Sequence, residues 1–259
     1  MISYYADPDL TRHLVDFQHR KEAGEPVEVW LAEGDSWFSI GGATTNLLMA
    51  LGERNDNRLI VSCAYPGDTV RDMSQLGNTP FHMMLSERFG QRWDRILLSA
   101  GGNDLLAGIA GVVSAAQIDV DRLDRALGRV ELGYRRMIMD IRRHRQTARV
   151  YAHTYDYPTA QSRRVWWRSG PWVGPQLVAA GVRPENTSAV VREVIDGLAR
   201  KVQVLHDERL LVCIDTRNTL APAQWGVLGR NRDWANEIHP SREGYTRLAA
   251  RWLQGMYKQ

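Results

Sequence analysis

The chain has 259 residues, of which 44% are hydrophobic and 24% charged, and 33 Lys and Arg stand against 30 Asp and Glu for a formal net charge of +3. That usage is ordinary for a globular chain and excludes disordered and fibrous classes, and the length suits one large α/β domain with a sizeable core. The densest basic run, Arg135-Arg136 with Arg142-Arg143-His144-Arg145, reads as a solvated helix face, because no long basic stripe accompanies it. Nucleic acid is therefore not an expected partner.

The first thirty residues hold no apolar core of the signal-peptide kind, and no stretch approaches the roughly 18 apolar residues of a membrane span. The expectation is a cytoplasmic protein without a transmembrane segment, with secretion by an uncleaved route and peripheral membrane contact left open. Cys63 and Cys213 each sit inside an apolar run and read as small buried hydrophobes.

Residues 1–26 predict an extended start and a polar amphipathic helix from about Asp9 to Ala23, an N-terminal extension that Gly24 and Pro26 end. The first strand, Val27 to Ala32, runs into Gly34-Asp35-Ser36. In open α/β sheets sites gather at the carboxyl ends of strands, although Gly-Asp-Ser is also ordinary turn chemistry. A helix at about Thr44 to Glu53 carries Leu47, Leu48 and Leu51 on one face. The second strand, Arg58 to Ala64, ends in Tyr65-Pro66-Gly67-Asp68-Thr69, and residues 70 to 93 read as mixed helix.

The third strand, Arg95 to Ala100, ends in Gly101-Gly102-Asn103-Asp104. An apolar small-residue stretch, Leu105 to Ala116, precedes a long amphipathic helix at about Asp119 to Arg145. A fourth strand at Ala148 to Thr154 leads into residues 155–184, where Trp166, Trp167 and Trp172 lie among prolines; an insert of this length is more often a working loop or lid than idle. A helix at about Asn186 to His206, a fifth strand at Leu210 to Asp215, a loop holding Asn236-Glu237-Ile238-His239-Pro240 and a helix at about Ser241 to Met256 complete the chain. Apolar runs alternating with helices predict one domain, 1–259, built as a three-layer α/β/α sandwich around a five-stranded parallel sheet with right-handed crossovers.

Three strand tips and the loop after the fifth strand thus carry the residue types that a hydrolytic site needs. A serine hydroxyl is a poor nucleophile unless a histidine takes its proton, and the developing oxyanion needs preorganised N–H donors. With Gly34-Asp35-Ser36, Gly67, Gly101-Gly102-Asn103-Asp104 and His239-Pro240 in this order, the sequence resembles the SGNH or GDSL hydrolase family over about residues 27 to 255. The resemblance implies a flavodoxin-like fold, Ser36 as nucleophile, His239 as base, and an oxyanion hole of the Ser36 and Gly67 N–H groups with the Asn103 amide. It implies esterase or lipase chemistry on small-molecule or lipid esters and no cofactor. Acyltransfer or carbohydrate deacetylation on the same fold, and a degenerate binding module, are the alternatives.

Two positions depart from the family pattern. Trp37 follows the serine where leucine is usual, and the position three before the histidine, where the family has its acid, is Asn236. Three accounts stay open: Asn236 orients His239, Glu237 or Asp233 reaches it through a shifted loop, or a Ser-His pair relies on a backbone carbonyl. Trp37, Leu105, Leu106, Ile109, Trp166 and Trp167 are the candidate pocket residues. His82, His144 and His206 show no ligand-like spacing in the sequence, so no metal is implied. Oligomeric state, acyl length and the mobility of 155–184 are not legible.

Overall fold

A computed structural model describes residues 1–39, 45–75, 80–86, 92–144, 146–161, 172–224, 227 and 230–258. The elements in order are β1 (Ile2–Tyr4), α1 (Leu10–Glu22), β2 (Glu28–Gly34), α2 (Ser36–Ser39), α3 (Leu47–Gly52), β3 (Arg58–Ser62), α4 (Val70–Met73), α5 (Pro80–Leu85), β4 (Arg95–Ser99), α6 (Gly102–Leu106), β5 (Val113–Ser114), β6 (Gln117–Ile118), α7 (Val120–Arg143), β7 (Arg149–His153), α8 (Gly174–Ala179), α9 (Thr187–Asp207), β8 (Val212–Ile214) and α10 (Arg242–Tyr257). Among the described residues no helix is long and apolar enough to cross a membrane.

The sheet order is β1-β3-β2-β4-β7-β8 with every pairing parallel, while β5 and β6 form a separate antiparallel pair. The α/β/α architecture matches the sequence expectation, but the sheet has six strands rather than five. The sixth is β1, where Ile2 and Tyr4 pair with Ile60 and Ser62 and the terminal ammonium donates to the Arg58 carbonyl at 2.8 Å. Three residues are too few to show a strand's period, so only the pairing reveals it. The N-terminal extension is therefore one edge of the sheet.

The central strands are apolar on both sides because helices cover both faces: Leu59, Ile60, Val61, Ile96, Leu97 and Leu98 are fully buried. Helices α3 and α10 pack on each other, and α7 packs on α4 and α9. In α7 the buried residues Leu123, Leu127, Val130, Tyr134, Met137, Ile138 and Ile141 recur at helical spacing, and the Asp119 side chain caps its first turn by accepting from the Arg122 N–H. Burying each large side chain of such a stripe stabilises the fold by about 1.5–3 kcal/mol.

After β2 the chain adds β3 on one side, then crosses to add β4 on the other. That reversal of direction opens a crevice at the carboxyl ends of β2 and β4, where ligands bind in open α/β sheets. Ser36 leaves the first of these strands and Asn103 the second.

Candidate active site

Ser36 is the first residue of α2, and Asp35 sets it there. The Asp35 Oδ1 accepts the Trp37 N–H at 3.0 Å, and the Asp35 carbonyl accepts from the Phe38 N–H at 3.1 Å and the Ser39 hydroxyl at 2.7 Å. This is N-cap chemistry, and it leaves the Ser36 N–H among the orphan donors of a helix start. Gly34 has no side chain for a packing reason: a Cβ there would stand 2.8 Å from the Cβ of Ser99, its registered partner on β4.

Beneath the turn lies a buried polar chain. The Tyr155 hydroxyl donates to Asp35 Oδ2 at 2.5 Å and the Ser99 hydroxyl to Asp35 Oδ1 at 3.0 Å. His153 Nε2 stands 2.9 Å from Ser99 Oγ, and His153 Nδ1 accepts the Tyr155 N–H at 3.2 Å, so the ring is neutral with its proton on Nε2. Burial holds His153 neutral, its pKa lowered to about 3. Burial also raises Asp35 to about 6, against the opposing pull of its Tyr155, Trp37 and Ser99 donors.

His239 comes from the tight loop before α10. Its Nε2 lies 2.8 Å from Ser36 Oγ and its Nδ1 lies 3.0 Å from Asn236 Oδ1. The same Asn236 oxygen accepts the Ile238 N–H at 3.1 Å and the His239 N–H at 2.9 Å, which fixes the amide as well as the ring. With Asn236 Oδ1 as acceptor, the imidazole proton sits on Nδ1 and leaves Nε2 free to take one from Ser36. Desolvation lowers the His239 pKa to about 4, so the ring is neutral at pH 7.

Gly67 adopts φ +93°, the left-handed region that favours glycine, at the start of the turn toward α4. Among the described residues neither the Gly67 nor the Ser36 backbone N–H finds a protein acceptor. The Asn103 amide donates one N–H to the Asp68 carbonyl at 2.9 Å, which locks it beside Gly67 and leaves its second N–H. Asp104, next along, accepts the Val70 N–H at 2.9 Å and so ties α6 to α4.

A cavity of about 380 Å³ joins these groups: Ser36, Gly67, Asn103, Asn236 and His239 all line it. Its apolar wall comes from Trp37, Leu106, Ala107, Pro158, Trp172, Ile195 and Ile238. Two of the candidate pocket residues, Leu105 and Ile109, do not line it. Leu105, inside α6, is 2% exposed and Ile109, in the turn past the end of that helix, is 0% exposed, whereas Leu106 is turned to the cavity. Trp166 and Trp167 lie outside the described residues.

The candidate acids other than Asn236 are committed elsewhere. The Glu237 carboxylate accepts four backbone N–H groups of the insert: Gln161 at 2.7 Å, Val173 and Gly174 at 2.8 Å each, and Trp172. Asp233 accepts the Ala221 N–H at 2.7 Å and faces Arg247 at 3.5 Å. Of the residues weighed for this role, Asn236 is the one that meets the imidazole.

Three further contributors were given no role in the site by the sequence. Trp172 stands edge-on to the His239 ring with centroids 5.5 Å apart. Tyr155, in a left-handed conformation at φ +59°, closes the cavity floor over Asp35. Asp156 accepts the N–H groups of Tyr157, Asn218, Thr219 and Leu220 and holds the loop after β7 against the loop after β8. The signal for Tyr155 and Asp156 was their position just past a strand tip, and for Trp172 its place in the Trp-rich insert.

The fold is shared with solved structures of low sequence identity. A lipase from a goat rumen metagenome matches with a TM-score of 0.58 and 17% identity, over 89% of this chain and 98% of that one. An extracellular lipase from Streptomyces rimosus matches at 0.59 and 14%, over 90% and 99%, and phospholipase A1 from Streptomyces albidoflavus at 0.51 and 17%, over 90% and 99%. No curated protein matches the sequence. The sequence model of the GDSL-like lipase/acylhydrolase family matches residues 31–247, most of the chain, and the protein belongs to that family.

Proposed function

We propose that the protein is a serine hydrolase of carboxylic esters, with Ser36 as nucleophile, His239 as general base and Asn236 holding the imidazole. The observation that carries this reading is the 2.8 Å contact between His239 Nε2 and Ser36 Oγ at the floor of an open cavity. In the first step Ser36 Oγ adds to the ester carbonyl as His239 Nε2 takes the hydroxyl proton. The oxyanion meets the N–H groups of Ser36 and Gly67 and the second N–H of Asn103, and donors of this kind are each worth about 3–4 kcal/mol of transition-state stabilisation. Collapse breaks the bond to the alcohol, which leaves with the proton from His239. Water, deprotonated by the same nitrogen, then releases the acid and restores Ser36.

Asn236 accepts from the ring but cannot neutralise the imidazolium, so catalysis leans more on the oxyanion hole than it would with a carboxylate there. The 380 Å³ cavity and its apolar wall suit an acyl group of short or medium length bound in full.

An organophosphonate probe and a series of p-nitrophenyl esters test the reading together. We expect one probe adduct, on Ser36, lost in Ser36→Ala and His239→Ala, and turnover that peaks at short or medium acyl chains. Absence of labelling with intact folded protein would overturn the mechanism in favour of a binding module. A steady rise in rate to palmitate would overturn the acyl-length assignment alone.

A further inference from the structure

We propose that His82, Asp140 and His144 form a binding site for a divalent transition-metal ion of the zinc class, distinct from the esterase site. The three residues come from two helices. Asp140 and His144 are four apart at the end of α7, hence on one face, and His82 projects from α5. His82 Nδ1 lies 2.9 Å from Asp140 Oδ2, and His144 Nε2 lies 3.7 Å from Asp140 Oδ1. All three ligand atoms fall within 4.8 Å of one another.

Ligands around a tetrahedral zinc ion, each about 2.0–2.1 Å from it, stand roughly 3.3 Å apart. The two imidazoles lie 2.9 and 3.7 Å from different oxygens of Asp140, either side of that value, and the ligand atoms span no more than 4.8 Å, so side-chain rotation gathers two nitrogens and one oxygen around one ion. The two rings are nearly perpendicular at 79°, with centroids 4.7 Å apart, so they converge on the carboxylate from different sides. Two imidazoles and a carboxylate are a borderline donor set that suits Zn²⁺ and its neighbours rather than Mg²⁺ or Ca²⁺. Binding requires His82 Nδ1 and His144 Nε2 to be unprotonated, and water takes the fourth position.

The carboxylate is the buried member: the Asp140 side chain is 8% exposed, while His82 and His144, at 24% and 20%, leave a path for the ion. The surrounding scaffold is well fixed. The Trp93 indole donates to the Met84 carbonyl at 3.2 Å and the Gln146 amide to the Leu85 carbonyl at 3.4 Å, which hold α5 against the residues just before β4 and against the segment that follows α7. Because α7 ends here and β7 begins at Arg149, the cluster sits at the amino-terminal edge of the sheet, opposite the edge that carries Ser36. An ion there ties α5 to the end of α7 and is structural; none of its ligands lines the ester cavity.

The test is titration of chelator-treated full-length protein with Zn²⁺ by calorimetry and with Co²⁺ by visible absorption, alongside thermal melting. We expect one saturable site of micromolar affinity or tighter, cobalt bands of a low-coordinate site, and a melting temperature raised by several degrees at saturation. His144→Gln and His82→Asn, with circular dichroism as the check on folding, should each lose affinity at least tenfold while keeping metal-free turnover of p-nitrophenyl esters. Equal affinity in wild type and both variants assigns the ion to other groups and overturns the proposal. So does the absence of saturable binding, which would leave the His82–Asp140 contact a hydrogen bond and not part of a metal site.

Discussion

The Trp37 indole N–H donates to the Ile238 carbonyl at 3.1 Å, so the residue after Ser36 is fastened to the residue before His239. The contact spans 201 positions and joins two loops that must stay aligned within tenths of an ångström for proton transfer. The ring is also packed, T-shaped, against Tyr155, Trp234 and Tyr245. Where the family usually has leucine, this chain has a residue that packs and also donates. Trp37→Phe keeps most of the packing and removes the bond. We expect a loss of about 1–2 kcal/mol in unfolding free energy, since the buried carbonyl loses its partner, and a roughly tenfold lower kcat/KM from a looser His239 loop. Denaturant titration and steady-state kinetics on one p-nitrophenyl ester check both; wild-type kinetics would show that the tether has no catalytic effect.

Asn236 gives a prediction with a sign. Desolvation alone sets the His239 pKa at about 4, because the group facing Nδ1 is neutral. Asn236→Asp keeps an acceptor for the ring and for the Ile238 and His239 N–H groups, and adds a negative charge beside the imidazolium. An opposite charge at this distance raises a basic pKa by about 1–3 units. The acid limb of kcat/KM, which falls as the free base is protonated, should therefore move to higher pH by that amount, with turnover at pH 8 maintained or raised. A limb that stays in place would mean that His239 is not the titrating base. Asn236→Ala removes the acceptor and should lower kcat at every pH, leaving residual turnover from the oxyanion hole.

Glu237 holds the insert in place. Its two oxygens accept the N–H groups of Gln161, Trp172, Val173 and Gly174, and Trp172 is thereby set against His239. Glu237→Gln turns an NH₂ group toward two of those donors. Leaving two N–H groups unpaired in a buried site costs about 2–4 kcal/mol. The kinetic consequence should fall on KM more than on kcat, because the wall of the cavity moves while Ser36 and His239 keep their contact. An unchanged KM across the ester series would place Trp172 outside the substrate's reach.

The four motif blocks were legible because each is a short local pattern, three of them at strand ends and the fourth just before the last helix, and their order survives folding. Partners that depend on direction were not. Spacing three before the histidine favours Asn236 over its neighbour Glu237, but that Glu237 turns to the insert and accepts four of its N–H groups is set by the turn and invisible to spacing. Leu105, Leu106 and Ile109 read alike as apolar; within α6 helical phase sends Leu105 to the core and Leu106 to the cavity, and the turn that follows buries Ile109. Strand β1 escaped because its three residues carry no period. The His82, Asp140 and His144 cluster escaped because one ligand lies 58 positions from the nearest of the others, so only the packing of α5 on the end of α7 unites them.

The buried chain under Ser36 gives the last prediction, on stability. His153 has a folded pKa of about 3, well below the value near 6.5 of an exposed histidine. As pH falls below about 6.5 the unfolded chain takes up a proton at this position that the folded chain refuses, so stability is full above that pH and is lost toward the folded value. Between pH 6.5 and pH 4 the loss from this one group is on the order of 3 kcal/mol. Asp35 has the opposite sign: its folded pKa of about 6 lies above that of an exposed carboxyl, so the folded state gains stability as pH falls through 6. The wild-type pH profile sums these and other groups, and the diagnostic quantity is therefore a difference. His153→Gln still presents an N–H to Ser99 but does not titrate. It should be less stable than wild type at pH 7, and the gap should narrow by about 3 kcal/mol on going to pH 4. Urea denaturation of both proteins across that range gives the gap directly; two parallel curves would mean that His153 is not held neutral in the fold.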